Sequence, residues 1–482
     1  MRYVSTRGQA DPVDFIGALM TGLAHDGGLF VPATWPRLSE DTLRDMATMS
    51  YPEVAFTVMR PFIDAPGEGT DGRGIADGDL RDLLEDAYAT FVHHSVAPLS
   101  QLGPDEWLME LWHGPTLAFK DVAMQVLGRL YDLVLAQTGD RITLVGATSG
   151  DTGSAAIEAV RHSERATIFI MHPHGRTSEV QRRQMTTVLD DNVHNIAVEG
   201  TFDDTQRILK ALFNDPEFRD EVGLSGVNSI NWARVLPQVV YYVTAAVALG
   251  APDREVAFSV PTGNFGDIFA GYVAHQMGVP IPRLVIATNS NDILARFLAT
   301  GRHELGEVTP TMSPSMDIQV SSNFERLLFD IRGRDGAAVA ADMAALAADG
   351  VFEVSTGDLA ELRTLFGAHR ADERDTAAAI TAVHEQTGRL VDPHTAVGVH
   401  AARVDRRDHP MRDPMVVLGP AHPAKFPDAV AAATGVRPPL PAHMADLLER
   451  EERMVVLPAD VAAVADHVRT SLAAERASVA SS

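Results

Sequence analysis

The sequence predicts an α/β fold with parallel sheets, and three observations carry that reading. Short apolar runs alternate with amphipathic segments of helical spacing, the pattern that βαβ units require. Two of those runs pass directly into glycine-rich loops that open helical sequence, at 142–153 and at 256–267. The composition lies near the globular average, with 45% hydrophobic and 22% charged residues over 482 positions, enough chain for two or three domains.

Taken in order, residues 1–95 mix helical patterns with loop-rich joints and form a small N-terminal domain. Asp41-Thr42-Leu43 looks like a helix start, and the tract 66–79 is turn-forming. Its Gly67, Gly69 and Gly72 match G-x-G-x-x-G with no clear strand before them, so the match is read as chance. From about residue 108 the βαβ texture begins. The runs Ile142-Thr143-Leu144-Val145, Thr167-Ile168-Phe169-Ile170, Val256-Ala257-Phe258-Ser259-Val260, Leu284-Val285-Ile286 and Met415-Val416-Val417-Leu418 are the strands. Between them lie helices such as 122–136, which places Leu127, Leu130, Tyr131 and Val134 on one face. Residues 96–430 form two α/β subdomains. The stretch 431–482 is a C-terminal helical segment, expected as two amphipathic helices and ending in an Ala/Ser-rich tail after Leu472.

Several function classes fall away. There is no cysteine, which removes disulfide frameworks, thiolate metal sites and cysteine nucleophiles. A net charge of −25 disfavours nucleic acid as a partner. The longest apolar stretch, 239–249, is too short to cross a bilayer. Met1-Arg2-Tyr3-Val4-Ser5 lacks the pattern of a secretion signal, so a cytoplasmic location is expected. His384-Glu385-Gln386-Thr387-Gly388 lacks the second histidine of a zinc protease motif, and no P-loop or hydrolase elbow occurs. His172 and His174, two apart after a strand, read as structural or surface residues.

The chemistry concentrates in two loops and one lysine. Gly146-Ala147-Thr148-Ser149-Gly150-Asp151-Thr152-Gly153 and Pro261-Thr262-Gly263-Asn264-Phe265-Gly266-Asp267 each join a strand to a helix N-terminus, where free N–H groups and the helix dipole attract phosphate or carboxylate. The chain has only three lysines, Lys120, Lys210 and Lys425. Lys210 falls on the outer face of an amphipathic helix, and Lys425 reads as an anion contact or as a surface residue. Lys120 stands at a helix start, where the dipole favours the neutral amine and so a nucleophile. A reactive lysine with phosphate-cradling loops in an α/β sheet points to pyridoxal phosphate held as a Schiff base.

These residues resemble the threonine synthases, fold-type II pyridoxal-phosphate enzymes, in the long subfamily with an extra N-terminal domain. The resemblance covers about residues 1–430. It rests on Tyr3-Val4-Ser5-Thr6-Arg7-Gly8, Gly22-Leu23-Ala24-His25-Asp26-Gly27-Gly28-Leu29-Phe30-Val31-Pro32, His113-Gly114-Pro115-Thr116-Leu117-Ala118-Phe119-Lys120-Asp121 and Thr148-Ser149-Gly150-Asp151-Thr152-Gly153. It continues through Gly263-Asn264-Phe265-Gly266-Asp267, Ser313-Pro314-Ser315-Met316-Asp317-Ile318-Gln319-Val320-Ser321-Ser322-Asn323-Phe324-Glu325-Arg326, Asp392-Pro393-His394-Thr395-Ala396-Val397-Gly398 and Ala421-His422-Pro423-Ala424-Lys425-Phe426.

The resemblance implies that Lys120 carries pyridoxal 5′-phosphate as an internal aldimine between the two subdomains. It implies that Gly263, Asn264, Phe265, Gly266 and Asp267 surround the cofactor phosphate, and that Thr395 faces the pyridine nitrogen. A hydroxyl there is expected to confer less charge than an aspartate would. Ser149, Gly150, Asp151 and Thr152 are implied to meet the substrate carboxylate or the cofactor's 3′-oxygen, and Lys425 the substrate, with Arg182 and Arg183 as further candidates for its phosphate or else a solvated helix face. The implied reaction turns O-phospho-L-homoserine and water into L-threonine and phosphate, in a subfamily whose members are often monomeric. A phospholyase of the same fold, releasing phosphate and a 2-oxo acid, is the alternative. One departure stands out: Gly419-Pro420 occupies the place where a Ser or Thr is expected before Ala421.

Overall fold

The apolar runs form strands, and the strands sort into two largely parallel sheets, each with its own core. The computed structural model describes residues 1–70, 72–148, 150–226 and 229–481, with side chains to 475. Over these residues the chain divides into two units, 1–123 with 229–438 and 124–228 with 439–482.

The first unit holds a six-stranded sheet in the spatial order Phe366–Arg370, Leu284–Thr288, Ala257–Pro261, Met415–Gly419, Glu106–Glu110 and Leu99–Gly103. Neighbours are parallel except the last pair, an antiparallel hairpin. Strand Met415–Gly419 is buried along its whole length, as a central parallel strand covered on both faces must be. The helix Pro393–Asp408 packs Ala396, Val397, Val399, Ala401 and Ala402 into the core with Ala257, Val285 and Val417. Asp392 caps this helix by accepting the His394 and Thr395 N–H groups. The N-terminal part of the unit pairs Tyr3–Ser5 with Phe30–Pro32. It closes over a buried aromatic group in which Trp232 meets Tyr3, Trp35 and Phe62.

The second unit is an all-parallel five-stranded sheet, ordered Val455–Pro458, Val193–Glu199, Ala166–Pro173, Ile142–Ala147 and Leu224–Gly226. Val145, Phe169, Ile196 and Val198 from the strands meet Ile208, Leu209 and Leu212 from the helix Phe202–Phe213. Val464, Ala465, Val468 and Leu472 complete that core as one stripe of the helix Val461–Ser481.

The expectation of two C-terminal helices is therefore corrected. Beyond residue 431 the short helix Pro427–Thr434 ends, the strand Val455–Pro458 joins the sheet edge, and one long helix follows. The strand escapes notice in the sequence because only four residues long, flanked by charge, it shows no alternation. Both helices after the glycine loops also start earlier than the sequence implies, at Asp151 and at Gly266. No helix among the described residues is long and apolar enough to cross a membrane. The stretch 239–249 lies mostly within the buried helix Trp232–Ala248.

Candidate active site

Lys120 is the first residue of the helix Lys120–Thr138 and is half-buried, its Nζ 4.6 Å from the centre of the Phe119 ring. The loop before it is stitched down on several sides. Phe119 N–H donates to the Pro420 carbonyl (2.8 Å), His422 N–H donates to the Leu117 carbonyl (3.0 Å), and Ala118 pairs with Ala421. The substitution of Gly419-Pro420 for the expected hydroxyl residue thus leaves this backbone contact whole, since it uses a carbonyl that proline retains. Leu117 sits at φ +62°, a conformation that costs a non-glycine residue about 1 kcal/mol or more and that only a well-tied loop sustains.

Lys425 supplies one of the ties. Its side chain is fully buried and Nζ donates to the Thr116 carbonyl at 2.7 Å, which overturns the surface reading of this residue. Asp121 supplies another, accepting from Thr116 N–H (2.8 Å) and Thr116 Oγ1 (2.6 Å). Burial pushes the Asp121 carboxyl up to about 6, opposed by the Thr116 hydrogen bonds and by the positive charge of Lys425. Lys210, in contrast, is exposed on its helix, as its position in the amphipathic pattern implied.

The second glycine loop has the form of an anion cradle. Phe265 is left-handed at φ +63° and turns the chain into the helix Gly266–Gln276, whose N-terminus no described side chain caps. The loop is held from behind: Gly263 O accepts from Ser321 Oγ (2.6 Å), and Asn264 O accepts from Asn323 N–H (3.1 Å) and Nδ2 (3.0 Å). A Cβ on Gly263 would lie 2.6 Å from the Ser315 carbonyl oxygen, so only glycine fits. Uncapped N–H groups at a glycine-lined helix start suit a phosphate, and the half-buried Lys120 amine of the same unit suits an aldehyde. The residues present therefore fit pyridoxal phosphate.

Asp267 belongs to this loop in sequence, but its carboxylate turns inward. Tyr241 and Tyr242 donate to it at 2.6 and 2.9 Å. Burial raises it to about 6, while the two phenols and the charge of Lys120 pull the other way. What it can offer an anion is its backbone N–H, and its side chain instead serves as a counter-charge for Lys120.

Thr395 is fully buried at the start of the helix Pro393–Asp408, its hydroxyl donating to the Asp392 carboxylate. His394 is buried beside it, with Nδ1 2.8 Å from Asp392 Oδ1.

In the second unit, Gly150 (φ +155°) precedes the helix Asp151–Val160, and Thr148 Oγ1 accepts from the Gly150 and Gly153 N–H groups. Ser149 lies outside the described residues. Gln181 covers this junction, donating through Nε2 to Asp151 Oδ1 (2.7 Å). Arg182 and Arg183 are partly exposed, and both pair with Glu452, at 3.1 and 3.4 Å, which also accepts from Thr186 Oγ1.

Within the first unit, then, Lys120, Asp267, Lys425 and Asp121 share one electrostatic neighbourhood, and the glycine loop rests on residues 313–323. Sequence reasoning gave no part to Gln181, Asn323, His394, Asp392 or the Tyr241–Tyr242 pair. Asn323, His394 and Asp392 stood inside recognisable motifs. For Gln181 and the tyrosines, nothing local in the sequence signals a contact made by residues some 25 to 30 positions away.

Comparison with known proteins agrees with this geometry. Family models match in sequence order: threonine synthase N terminus over residues 2–88, pyridoxal-phosphate dependent enzyme over 88–420, and threonine synthase, C-terminal, over 395–468. A threonine synthase of Pseudomonas aeruginosa is 55% identical over 465 residues, covering 96% of this chain and 97% of that protein. The Saccharomyces cerevisiae threonine synthase is 43% identical, over 89% of this chain and 88% of its own. The crystal structure of a PLP-bound threonine synthase from Brucella melitensis superposes with a TM-score of 0.93 at 54% identity, covering 98% of this chain and 99% of that one. By all three measures, over nearly its whole length, the chain belongs to the threonine synthase family of pyridoxal-phosphate-dependent enzymes.

Proposed function

We propose that this chain converts O-phospho-L-homoserine and water into L-threonine and phosphate, the last step in making threonine. The observation that carries the reading is Lys120: a half-buried amine at a helix start, in a loop fixed by Lys425 and Asp121, within the unit that also holds an uncapped glycine cradle. Pyridoxal phosphate, when bound, supplies an electron sink that stabilises negative charge at the carbon bearing the substrate amine.

The chain's own residues supply the rest. N–H groups of Gly263, Asn264, Phe265, Gly266 and Asp267 bind the cofactor phosphate, and Thr395 meets its ring nitrogen. Lys120 Nζ takes the α-proton of the substrate and returns it at the end. Between those events a β-proton is removed, phosphate leaves the γ-carbon, a proton returns to the γ-carbon to make it the methyl group, and water adds at the β-carbon. Asp267 balances the charge of Lys120 while its amine is protonated. Ser149, Gly150, Asp151 and Thr152 receive the substrate, and buried Lys425 adds a positive charge beside the Lys120 loop, useful for a dianionic substrate in a chain of net charge −25.

The functional division that goes with this reading is 1–95, 96–430 and 431–482. The partner is a small molecule, with no part for nucleic acid or membrane, and a single chain in the cytoplasm suffices.

The test is a product analysis. Protein saturated with pyridoxal phosphate is given O-phospho-L-homoserine, and phosphate, threonine and 2-oxobutyrate are quantified. Threonine equal to phosphate is the expected result. Phosphate accompanied by 2-oxobutyrate with little threonine would make the chain a phospholyase. Lys120→Ala is expected to lose both turnover and the visible absorbance of the bound cofactor; retained turnover would remove Lys120 from the chemistry.

A further inference from the structure

One positive charge of the first unit is buried among neutral partners. Arg326, in the helix Phe324–Ile331, is fully buried. Its guanidinium donates to the Phe30 carbonyl through Nε (3.0 Å), to the Ile230 carbonyl through Nη2 (2.5 Å) and to Asn323 Oδ1 through Nη1. The adjacent carboxylate is spent elsewhere: Glu325 accepts from Arg7 Nε (3.1 Å) and Nη2 (3.0 Å) and from Thr6 Oγ1 (2.6 Å). Among the described residues no carboxylate accepts a hydrogen bond from Arg326. Burial pulls the guanidinium down to about 9, opposed by the charge of Glu325, so it stays charged at neutral pH. Burying a charge without an opposite one is costly.

Asn323 leads from that charge to the glycine loop. Its oxygen faces Arg326, and its Nδ2 donates to the carbonyls of Asn264 (3.0 Å) and Ser229 (3.1 Å). The carboxamide has one possible orientation, because a guanidinium only donates and a carbonyl only accepts. The Asn264 carbonyl also takes the Asn323 N–H at 3.1 Å. That carbonyl shares a peptide with the Phe265 N–H. Among the described residues nothing accepts from the N–H groups of Gly263, Asn264 or Phe265. Hydrogen bonds in a chain strengthen one another. The guanidinium polarises the carboxamide, the carboxamide polarises the peptide, and the Phe265 N–H becomes a stronger donor.

We propose that Arg326 is the counter-charge of the cofactor phosphate, carried to the glycine loop through Asn323, so that the phosphate is held as a dianion. This rests on the reading of 263–267 as the phosphate cradle. Arg326 is a positioning residue, acting through Asn323 and the Asn264–Phe265 peptide. It also gives the N-terminal domain a part in cofactor binding. The strand Phe30–Pro32 supplies one of its acceptors, and Thr6 and Arg7 occupy the carboxylate that would otherwise neutralise it.

The experiment compares two aldehydes, pyridoxal phosphate and pyridoxal, in fluorescence titrations of the apoprotein. Both can react with Lys120, and only the first carries a phosphate. Wild type is expected to prefer pyridoxal phosphate. In Arg326→Gln the Kd of pyridoxal phosphate is expected to rise at least about tenfold, while that of pyridoxal stays within about twofold. Equal losses for both aldehydes would make Arg326 a structural residue and overturn the proposal. An undiminished preference for the phosphate would overturn it too. Wild-type protein that binds the two aldehydes alike would instead take the phosphate out of the glycine loop, and the cradle reading itself would fall. A second measurement needs no variant to fold. Phosphorus-31 NMR of the wild-type holoenzyme is expected to show a dianion down to about pH 5, a full unit below the second phosphate pKa of about 6. A resonance that titrates at about 6 overturns the proposal.

Discussion

At Gly263 a methyl group would stand 2.6 Å from the carbonyl oxygen of Ser315, and a backbone atom cannot swing aside as a side chain can. Gly263→Ala must therefore shift either the cradle or the 313–323 segment behind it. It is expected to weaken pyridoxal phosphate binding by at least about tenfold, roughly 1.4 kcal/mol, measured by fluorescence titration of the apoprotein. Gly150 poses the same question in the second unit. At φ +155° its backbone is open to glycine, and an added Cβ would overlap the Gln181 carboxamide that holds Asp151. Gly150→Ala is expected to raise KM for O-phospho-L-homoserine while leaving the cofactor Kd within about twofold of wild type, because the loop is assigned to substrate. Equal cofactor loss in both variants would move 150–152 from the substrate to the cofactor.

Among the elements, the C-terminal strand and helix show how a short segment becomes necessary to a sheet. Val455–Pro458 pairs in parallel with Val193–Glu199, and Glu452 just before it gathers Arg182, Arg183 and Thr186. All three partners and Glu452 are less than a third exposed, so the charges are only partly screened. Glu452→Gln keeps the shape and removes the charge, leaving Arg182 short of its counter-ion and Arg183 with Glu179, 3.6 Å away. A loss of about 1–3 kcal/mol is expected in urea unfolding followed by far-UV circular dichroism. The same elements mark what the sequence could and could not reveal. Runs such as 142–145 and 415–418 were legible because a strand buried on both faces is uniformly apolar. Strand Val193–Glu199 carries His194 and Asn195 inside it and does not look like such a run, and Val455–Pro458 is too short to show a period. At the site, the lysine and both loops were legible because each has a local signature. The roles of Gln181, His394 and Glu452, and the burial of Lys425, depend on partners distant in sequence, and no spacing rule reports such contacts.

For the molecule as a whole, the response of stability to acid sets two kinds of buried group against each other. Asp121 and Asp267 are raised to about 6, so between pH 6 and 4 the native state takes up their protons before the unfolded chain does, and stability gains as pH falls. His303 works in the opposite sense. Its ring is stacked between Phe352 (4.8 Å) and Phe324 (5.7 Å), 2% exposed, and burial lowers it from 6.5 to about 4. From pH 6.5 down to about 4 the unfolded chain binds that proton and the native state does not. The contribution of His303 is thus whole above pH 6.5 and drains away through that window. The aromatic box would accept a phenyl ring of similar shape, and His303→Phe cannot be protonated. The variant is expected to lose less stability than wild type between pH 7 and pH 4, by up to about 3 kcal/mol. Urea unfolding of the two proteins at both pH values measures the difference. It isolates His303 because Asp121 and Asp267 contribute equally to each protein and cancel. Identical acid losses would mean that the box opens and solvates the ring as pH falls. The aromatic contacts joining the strand Arg302–Glu304 to Phe324, next to Asn323 and the phosphate cradle it supports, would then be the first part of the unit to loosen.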